Sequence, residues 1–382
     1  MSRLAVITAL AGWAVAAAWG QAPMFFRVAS ATNTQIVGFG ADGNLTWTGT
    51  HPGATDVVQT TGAVASNWVS YVQVPATGTT QSVRVMDFAP PAGMGLIPAG
   101  SFLMGNSVNA GEGATDELPP HTVYVSAFYM DRYATSKTAW DGVYVWATNH
   151  GYRFDNNLSG EGAHGRGKAP AHPVQVVNWF DCVKWCNARS EQEGRAPAYY
   201  TSATFIPTNI YRIGQVNVQT NWVRWTTGYR LPTEAEWEKA ARGGASGQRF
   251  PWSDTTTIDH SRANYRGNPS TYAYDVGYAG ADTNYATGSL PYTSPVGAFA
   301  ANGYGLYDMA GNVWQWCWDW YGSYGPDPQT DPRGPPSTSV RVYRGGSWTD
   351  YAVYSRASMR INYGPSGSFN NVGFRTVLPP DQ

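Results

Sequence analysis

The sequence is poor in charge and in cysteine. Of its 382 residues 13% are charged, the formal net charge is −1, and no run of Lys or Arg occurs. Without a basic patch the chain lacks the electrostatic attraction that nucleic-acid-binding proteins use, so no nucleic-acid partner is expected. Its six histidines show none of the paired spacings of a non-haem iron site, so no iron is expected either.

Three cysteines are an odd number for a disulfide framework in an oxidising compartment. Cys182 and Cys186 are four residues apart on a predicted helix and therefore share one face, whereas Cys317 lies far along the chain. We interpret the pair as small buried thiols. A metal-binding or redox pair is the alternative.

Glycine and aromatic residues are abundant instead. The chain contains 43 Gly and 17 Trp, and aromatic residues make up 14% of it. This composition argues against disorder, which requires high charge and few aromatic residues. It also argues against a helical bundle, since glycine, proline and aromatic residues favour loops and short strands.

The N-terminus carries an apolar run that follows Arg3 and ends in small residues near Ala18 and Gly20. This pattern predicts a secretory signal over residues 1–20, with cleavage near Gly20–Gln21. An N-terminal anchor helix is the alternative, although the run is shorter than the ~20 residues that span a bilayer. We therefore expect an exported protein, periplasmic or extracellular, without a membrane span after signal removal.

The remaining chain divides into two parts. Residues 22–87 alternate apolar and polar residues between turn signals, which predicts a small all-β accessory domain of four or five strands with a hairpin turn at Asp42-Gly43. Residues 88–93 are rich in proline and alanine and are predicted to be a linker. Residues 94–380 are predicted to form one larger domain, with long irregular loops over 195–225 and 245–300.

Helix-capping residues mark three helices in this larger domain: Ser136, Asn178 and Thr233, the last in a capping box with Glu236. The helices are predicted to end near His150, at Gly194 and at Gly243-Gly244. Their patterns are amphipathic, and we expect them to cover a sheet.

Trp314, Trp316, Trp318 and Trp320 alternate with other residues, as on one face of a strand. Such a face is either a sugar-binding platform or part of the core. Because four exposed indoles would promote aggregation, a core strand is predicted.

Several longer segments together resemble one known family. They are IPAGSFLMG, RLPTEAEWEKAARGG, NGYGLYDMAGNVWQW, RGGSW and GFR. In order and spacing, the chain from Met94 to Leu378 resembles the formylglycine-generating enzyme, or sulfatase-modifying factor, superfamily. The resemblance implies an α+β, loop-rich, modified C-type lectin-like fold, preceded here by the small all-β domain.

The resemblance also locates the family's catalytic region. In the oxidases of this family, two cysteines that follow Gly-Gly-Ser bind the copper that activates oxygen. The matching positions here are Asp350 and Ser355, while Ser347 and Trp314 match other residues of the active-site region. A carboxylate and a hydroxyl cannot replace the soft thiolates that copper(I) requires, so no catalytic assignment is made and copper is not expected.

Calcium is the cofactor that the resemblance implies. One set of oxygen ligands matches the side chains of Asp308 and Gln315 and the carbonyls of Gly311 and Val313. A second set matches Asn264 and the carbonyl of Tyr265. In this second set the family's aspartate aligns with Gly288, and Asp275 or Asp282 is a substitute. A structural loop without an ion is the alternative.

We expect the chain to be an exported binding module, a pseudoenzyme that recognises a protein or carbohydrate ligand through residues 348–372. The candidate ligand-binding residues are Trp348, Asp350, Tyr351, Tyr354 and Tyr363, on a Tyr, Ser, Gly and Asn surface suited to adaptable recognition. One alternative is an enzyme of the same family, either an oxidase or an enzyme with Asp350 in acid–base chemistry. Another is a retroelement-diversified ligand-binding protein, because the variable regions of such proteins share the RGGSW…GFR frame.

Overall fold

The computed structural model describes residues 25–29, 35–39, 44–50, 52–61, 69–84, 90–108, 111–154 and 165–380. The predicted signal, residues 1–20, and the predicted turn Asp42-Gly43 lie outside these ranges. Among the described residues, no helix combines the length and the apolar character that a bilayer span requires.

The described residues of the N-terminal part contain six strands, rather than the four or five predicted: β1 (Phe25–Ala29), β2 (Gln35–Phe39), β3 (Asn44–Thr48), β4 (Thr55–Thr61), β5 (Val69–Pro75) and β6 (Thr80–Arg84). They form two antiparallel sheets with strand orders β1-β4-β5 and β2-β3-β6. The division of residues 22–87 into a separate domain stays a prediction.

The larger part contains twelve short described strands: β7 (Met94–Ile97), β8 (Gly100–Met104), β9 (His121–Val125), β10 (Phe128–Asp131), β11 (Arg266–Gly267), β12 (Gly280–Ala281), β13 (Trp314–Trp320), β14 (Gln329–Thr330), β15 (Arg341–Arg344), β16 (Arg360–Tyr363), β17 (Val372–Gly373) and β18 (Val377–Leu378). They form sheets with strand orders β18-β10-β7, β14-β9-β8, β11-β12 and β16-β15-β13-β17. The last of these sheets carries the candidate site.

Three α-helices begin where the capping residues predicted: α1 (Lys137–Thr148), α2 (Trp179–Gln192) and α3 (Glu234–Ala241). The side chains of Ser136, Asn178 and Thr233 each accept a hydrogen bond from the first turn, and Thr233 forms the capping box with Glu236. These predictions are confirmed because helix capping is a local interaction that the sequence specifies directly.

The predicted amphipathic character holds only for α1. Helix α3 is buried along its whole length, and α2 is buried from Trp179 to Ala188. Even Lys184 in α2 is inaccessible and pairs with Asp181 at 3.0 Å. The prediction was wrong for α3 because this helix contacts strands of two different sheets, β8 and β9 in one and β13 and β15 in the other. It was wrong for α2 because this helix packs against α1 and also donates from Lys184 and Asn187 to the carbonyls of Arg153 and Tyr199.

Strand β13 lies in the core, as predicted. Its four tryptophans are at most 5% exposed, and all seven of its residues are buried. The indole of Trp316 donates to the carbonyl of Val177 at 3.1 Å, which ties the strand to the start of α2. A sugar platform on these indoles is therefore excluded.

Buried arginines connect the C-terminal segment to helix α3. Arg344, at the end of β15, donates to Glu238 and, at 3.2 Å, to Glu234. Arg360, at the start of β16, makes a two-pronged ion pair with Glu234 at 2.7 and 2.6 Å. Because both carboxylates and both guanidiniums are buried, these pairs fix the position of the segment between residues 344 and 360.

Two further buried arginines connect this segment to other loops. Arg356 makes a two-pronged ion pair with Glu117 at 2.8 and 2.5 Å. Arg375 donates to the side-chain oxygen of Gln315 at 2.7 Å and to the carbonyl of Tyr307, also at 2.7 Å. The segment from 344 to 375 is therefore held at four points by charged side chains inside the protein.

Candidate functional site

The candidate site is centred on the carboxyl group of Asp350. Its Oδ2 accepts a hydrogen bond from the indole Nε1 of Trp314 at 2.8 Å and another from the hydroxyl of Ser347. Asn371 donates from Nδ2 to the Ser347 Oγ at 3.2 Å. The structure thus brings together three of the four predicted pocket positions, on β13 and on the turn after β15.

Two glycines create this turn. Gly345 and Gly346 have positive φ angles of 103° and 75°, which glycine adopts without steric cost. A Cβ on Gly346 would lie 2.8 Å from the carbonyl oxygen of Tyr354 and 3.0 Å from the hydroxyl of Ser355. The backbone at Gly346 therefore lies close to Ser355. This fourth predicted position is fully buried, and its hydroxyl has no hydrogen-bond partner among the described residues.

Burial raises the pKa of Asp350 above its usual value, and the hydrogen bonds from Ser347 and Trp314 partly oppose this effect. No cationic side chain contributes to the shift. Burial, together with the charge of Asp350, raises the pKa of Tyr343 on β15, so this phenol stays protonated beside the carboxylate. The site is a half-buried acidic group without a counter-ion from the described part of the chain.

The predicted ligand-binding residues divide into buried and accessible groups. Trp348 is only 6% exposed and donates from Nε1 to the carbonyl of Asn370 at 3.3 Å. It is therefore part of the structural frame, because an indole buried in this way has no free face for a ligand. Tyr351 and Tyr354 are half-buried beside Asp350. Tyr363 is 47% exposed and packs its ring edge against Phe369.

Sequence reasoning missed three contributors to the site. Tyr343 packs against Trp314 with ring centroids 5.4 Å apart, and Asn371 holds Ser347 in place. Arg266 donates its backbone N–H to the carbonyl of Asp350 at 2.9 Å, and its guanidinium lies 5.4 Å from the ring centre of Tyr351. Two sequence features could have indicated these contributors. They are the tyrosine of RVYR, in the strand that directly precedes the turn, and the paired asparagines before VGFR.

The residues of the first predicted calcium site fit a calcium ion only in part. Asp308 is buried, one carboxyl oxygen accepts from the N–H of Gly297 at 2.7 Å, and the other has no partner among the described residues. Burial raises the pKa of Asp308 to about 6. The side-chain oxygen of Gln315, however, accepts from Trp237 at 2.9 Å and from Arg375 at 2.7 Å. Gln315 does not fit a calcium ligand, because its oxygen is already engaged with a guanidinium.

The second set contains a more favourable carboxylate. Strands β11 and β12 pair with Arg266 opposite Ala281, and Tyr265 and Asp282 are the next residues beyond this pair. Asp282 is 1% exposed, and its Oδ2 has no partner among the described residues. The carboxylate of Asp275, by contrast, accepts from Tyr265, Asn268 and Gly277. Of the two substitutes considered, Asp282 is the one with an oxygen left for a cation.

Within the described ranges, no group of three or more His, Cys, Asp or Glu side chains is placed to hold a metal ion. A cation near Asp282 therefore needs neutral oxygens as further ligands. Asn264 uses its Nδ2 to donate to the carbonyl of Tyr292 at 2.8 Å, which leaves its side-chain oxygen on the other side of the amide. Amide and carboxylate oxygens are among the ligands that calcium takes in proteins.

All three cysteines are fully buried away from Asp350. Cys182 and Cys186 lie on α2, and Cys317 lies in the middle of β13. Burial raises the pKa of each thiol, which makes the thiolate unfavourable. These observations support the interpretation as inert core thiols.

The fold and the site define a loop-rich α+β domain whose C-terminal turn carries a polar cluster beside a core tryptophan strand. The chain belongs to the sulfatase-modifying factor family, since residues 82–379 match the sulfatase-modifying factor enzyme 1-like domain.

Individual relatives agree with this assignment. The formylglycine-generating enzyme of Thermomonospora curvata is 36% identical over 300 residues, which cover 75% of this chain and 94% of the relative. The corresponding enzyme of Streptomyces coelicolor is 33% identical over 290 residues, 75% of this chain and 88% of the relative. Among solved structures, Treponema denticola variable protein 1 is similar with a TM-score of 0.54 and 28% identity, covering 75% of this chain and 95% of that one.

Proposed function

We propose that this protein is an exported ligand-binding member of the sulfatase-modifying factor family without formylglycine oxidase activity. The observation that supports the proposal is the hydrogen-bonded carboxyl group of Asp350, which accepts from Trp314 and Ser347. The family resemblance implies that this position corresponds to the first copper-binding cysteine. A carboxylate whose orientation is fixed by two hydrogen bonds is suited to binding a polar ligand.

The donor chemistry does not fit copper(I). The matching positions offer a carboxylate and the buried hydroxyl of Ser355, both hard oxygen donors, whereas copper(I) selects soft sulfur ligands. The three thiols of the chain lie in the core at other places. No oxidation step through copper is therefore assigned to this site.

Aerobic incubation with a Cys-x-Pro-x-Arg peptide tests the proposal. We expect no conversion of the cysteine to the aldehyde, and no copper(I) retained after dialysis. The double variant Asp350→Cys/Ser355→Cys is the positive control for metal binding, and it should retain copper(I) that each single variant loses. Aldehyde formation by the natural chain would overturn the proposal.

We propose calcium as a structural ion held by Asn264, the carbonyl of Tyr265 and Asp282. The support is the unpartnered, buried oxygen of Asp282, the residue that follows the paired strand β12. Calcium binding at Asp308, Gly311 and Val313 is retained only as a prediction, because Gln315 does not complete that set.

A second candidate function is ligand binding through a retroelement-diversified segment. The similarity to a Treponema denticola protein that bears the name variable protein 1 favours it. The test is genomic: a near-copy of the DNA encoding residues 348–372 should lie close to the gene. If sequencing of the locus finds no such copy, this candidate is rejected and the first proposal is unaffected.

A further inference from the structure

The charge around Asp350 indicates what kind of ligand the site takes. We propose that it binds a cationic nitrogen, an ammonium or guanidinium group, in contact with the free carboxyl oxygen of Asp350. This inference rests on the proposed ligand-binding function and adds the chemical class of the ligand.

The first argument is the unequal use of the two carboxyl oxygens. Oδ2 of Asp350 accepts from both Trp314 and Ser347, which fixes the orientation of the group. Oδ1 has no hydrogen-bond partner in the described part of the chain, yet it is not sealed off as a buried unpartnered atom. A ligand that donates to Oδ1 therefore meets a carboxyl group that is already oriented, and binding requires little side-chain ordering.

The second argument is the missing counter-charge. Two buried glutamates of this protein, Glu117 and Glu238, are each paired with an arginine. Asp350 forms no ion pair among the described residues, and no cation influences its pKa. Because a partly desolvated charge without a partner is unfavourable, a ligand that carries the opposite charge gains more here than at an exposed carboxylate.

The third argument is the aromatic surroundings. Tyr343 and Tyr354 pack edge-on against Trp314, at centroid distances of 5.4 and 6.1 Å. Tyr351, beside Asp350 in sequence, already has the guanidinium of Arg266 5.4 Å from its ring centre. Aromatic rings attract cations through their negative faces, so a carboxylate among tyrosines favours a cation over an anion and over a neutral polyol.

The experiment is a calorimetric titration of the purified full-length chain with matched small probes. Nα-acetylcitrulline amide has nearly the shape of Nα-acetylarginine amide, but an oxygen replaces one terminal nitrogen, so its side chain is uncharged. Butylammonium tests whether a free amine suffices, and methyl glucoside represents a neutral polyol. We expect the arginine derivative to bind at least tenfold more tightly than the citrulline derivative, or about 1.4 kcal/mol.

Asp350→Asn is the decisive variant, because asparagine still accepts the hydrogen bonds from Trp314 and Ser347 and the fold is preserved. It should reduce binding of the arginine derivative at least tenfold. Asp327→Asn, which removes a charge from an exposed position, is the matched control and should have no effect. Tyr354→Leu should weaken cation binding, and Tyr354→Phe should retain it, since phenylalanine keeps the ring.

Three results would overturn the inference: equal binding of the citrulline derivative, unchanged binding by the Asp350→Asn variant, or saturable binding of methyl glucoside alone. Binding of the arginine derivative without butylammonium binding would assign the site to a peptide side chain rather than to a free amine. None of these outcomes depends on the oxidase assay, so failure of the inference and failure of the proposed function remain distinguishable.

Discussion

The indole Nε1 of Trp314 donates to Oδ2 of Asp350 across 2.8 Å. The hydrogen bond joins the core strand β13 to the turn after β15. A residue of the hydrophobic core therefore orients the acidic group of the site.

Replacing Trp314 by Phe should break this connection. The variant loses a hydrogen bond to a charged group, for which we expect roughly 1.5–3 kcal/mol of lost unfolding free energy in urea titrations. Because this bond lowers the pKa of Asp350, the pKa should also rise further, as measured by carboxyl-carbon NMR. The matched control is Trp316→Phe, which loses a bond to the Val177 carbonyl and should leave the Asp350 pKa unchanged. If the pKa of Asp350 were the same in both variants, the indole of Trp314 would not be the group that lowers it.

The ion pair between Arg356 and Glu117 should be important for stability. Both side chains are at most 1% exposed, so Glu117→Gln leaves a buried guanidinium without its counter-charge. We expect a loss of about 3–5 kcal/mol in the free energy of unfolding. Arg262→Gln breaks the solvent-exposed pair with Asp254 and should have little effect. Similar small losses in both variants would show that burial does not govern these pairs.

Calcium should raise the melting temperature through Asp282. At a concentration one hundred times its dissociation constant, a single bound ion contributes about 2.7 kcal/mol. The calcium-dependent increase should disappear in Asp282→Asn and persist in Asp275→Asn, since the carboxylate of Asp275 is already engaged by protein donors. Scanning calorimetry in calcium and in EDTA provides the comparison. If calcium still raised the melting temperature of the Asp282→Asn variant, the ion would have to bind at another site.

Stability should increase with pH above neutrality because of Lys239. Burial lowers the pKa of this lysine from 10.5 to about 8, although its Nζ donates to the carbonyls of Gly100 and Val125. The charged form is thus less favourable in the folded than in the unfolded chain. The stabilisation is complete above pH 10.5 and is lost as the pH falls through 8.

The difference in unfolding free energy between the natural chain and Lys239→Met isolates this effect from other titrating groups. It should change by about 3 kcal/mol between pH 8 and 10.5, in favour of the natural chain at the higher pH. A difference that is independent of pH would show that Lys239 has an ordinary pKa in the folded protein.

Much of the local structure was predictable. The capping residues Ser136, Asn178 and Thr233 specify their helices through contacts within one turn, and the alternating tryptophans identify β13. The burial of α2 and α3 was not predictable, because it depends on elements from other parts of the chain: α1 packs on α2, and strands of two sheets pack on α3.

The candidate site was only partly predictable. The RGGSW frame located Ser347 and Asp350, but Tyr343 joins the site through the pairing of β13 with β15, which no local pattern reveals. Trp348 was expected at the ligand surface and is buried, since its indole reaches the carbonyl of Asn370. The engagement of Gln315 by Arg375 likewise joins residues 60 positions apart.

The four buried arginines of the C-terminal segment divide its residues into two classes with different structural roles. Arg344, Arg356, Arg360 and Arg375 fix the path of the backbone from within, whereas residues 349–351 and 361–371 mostly face outward or are half-covered. Substitutions at the exposed positions of the second class, such as Thr349 and Ser366, should alter the shape and charge of the surface without disturbing the interior.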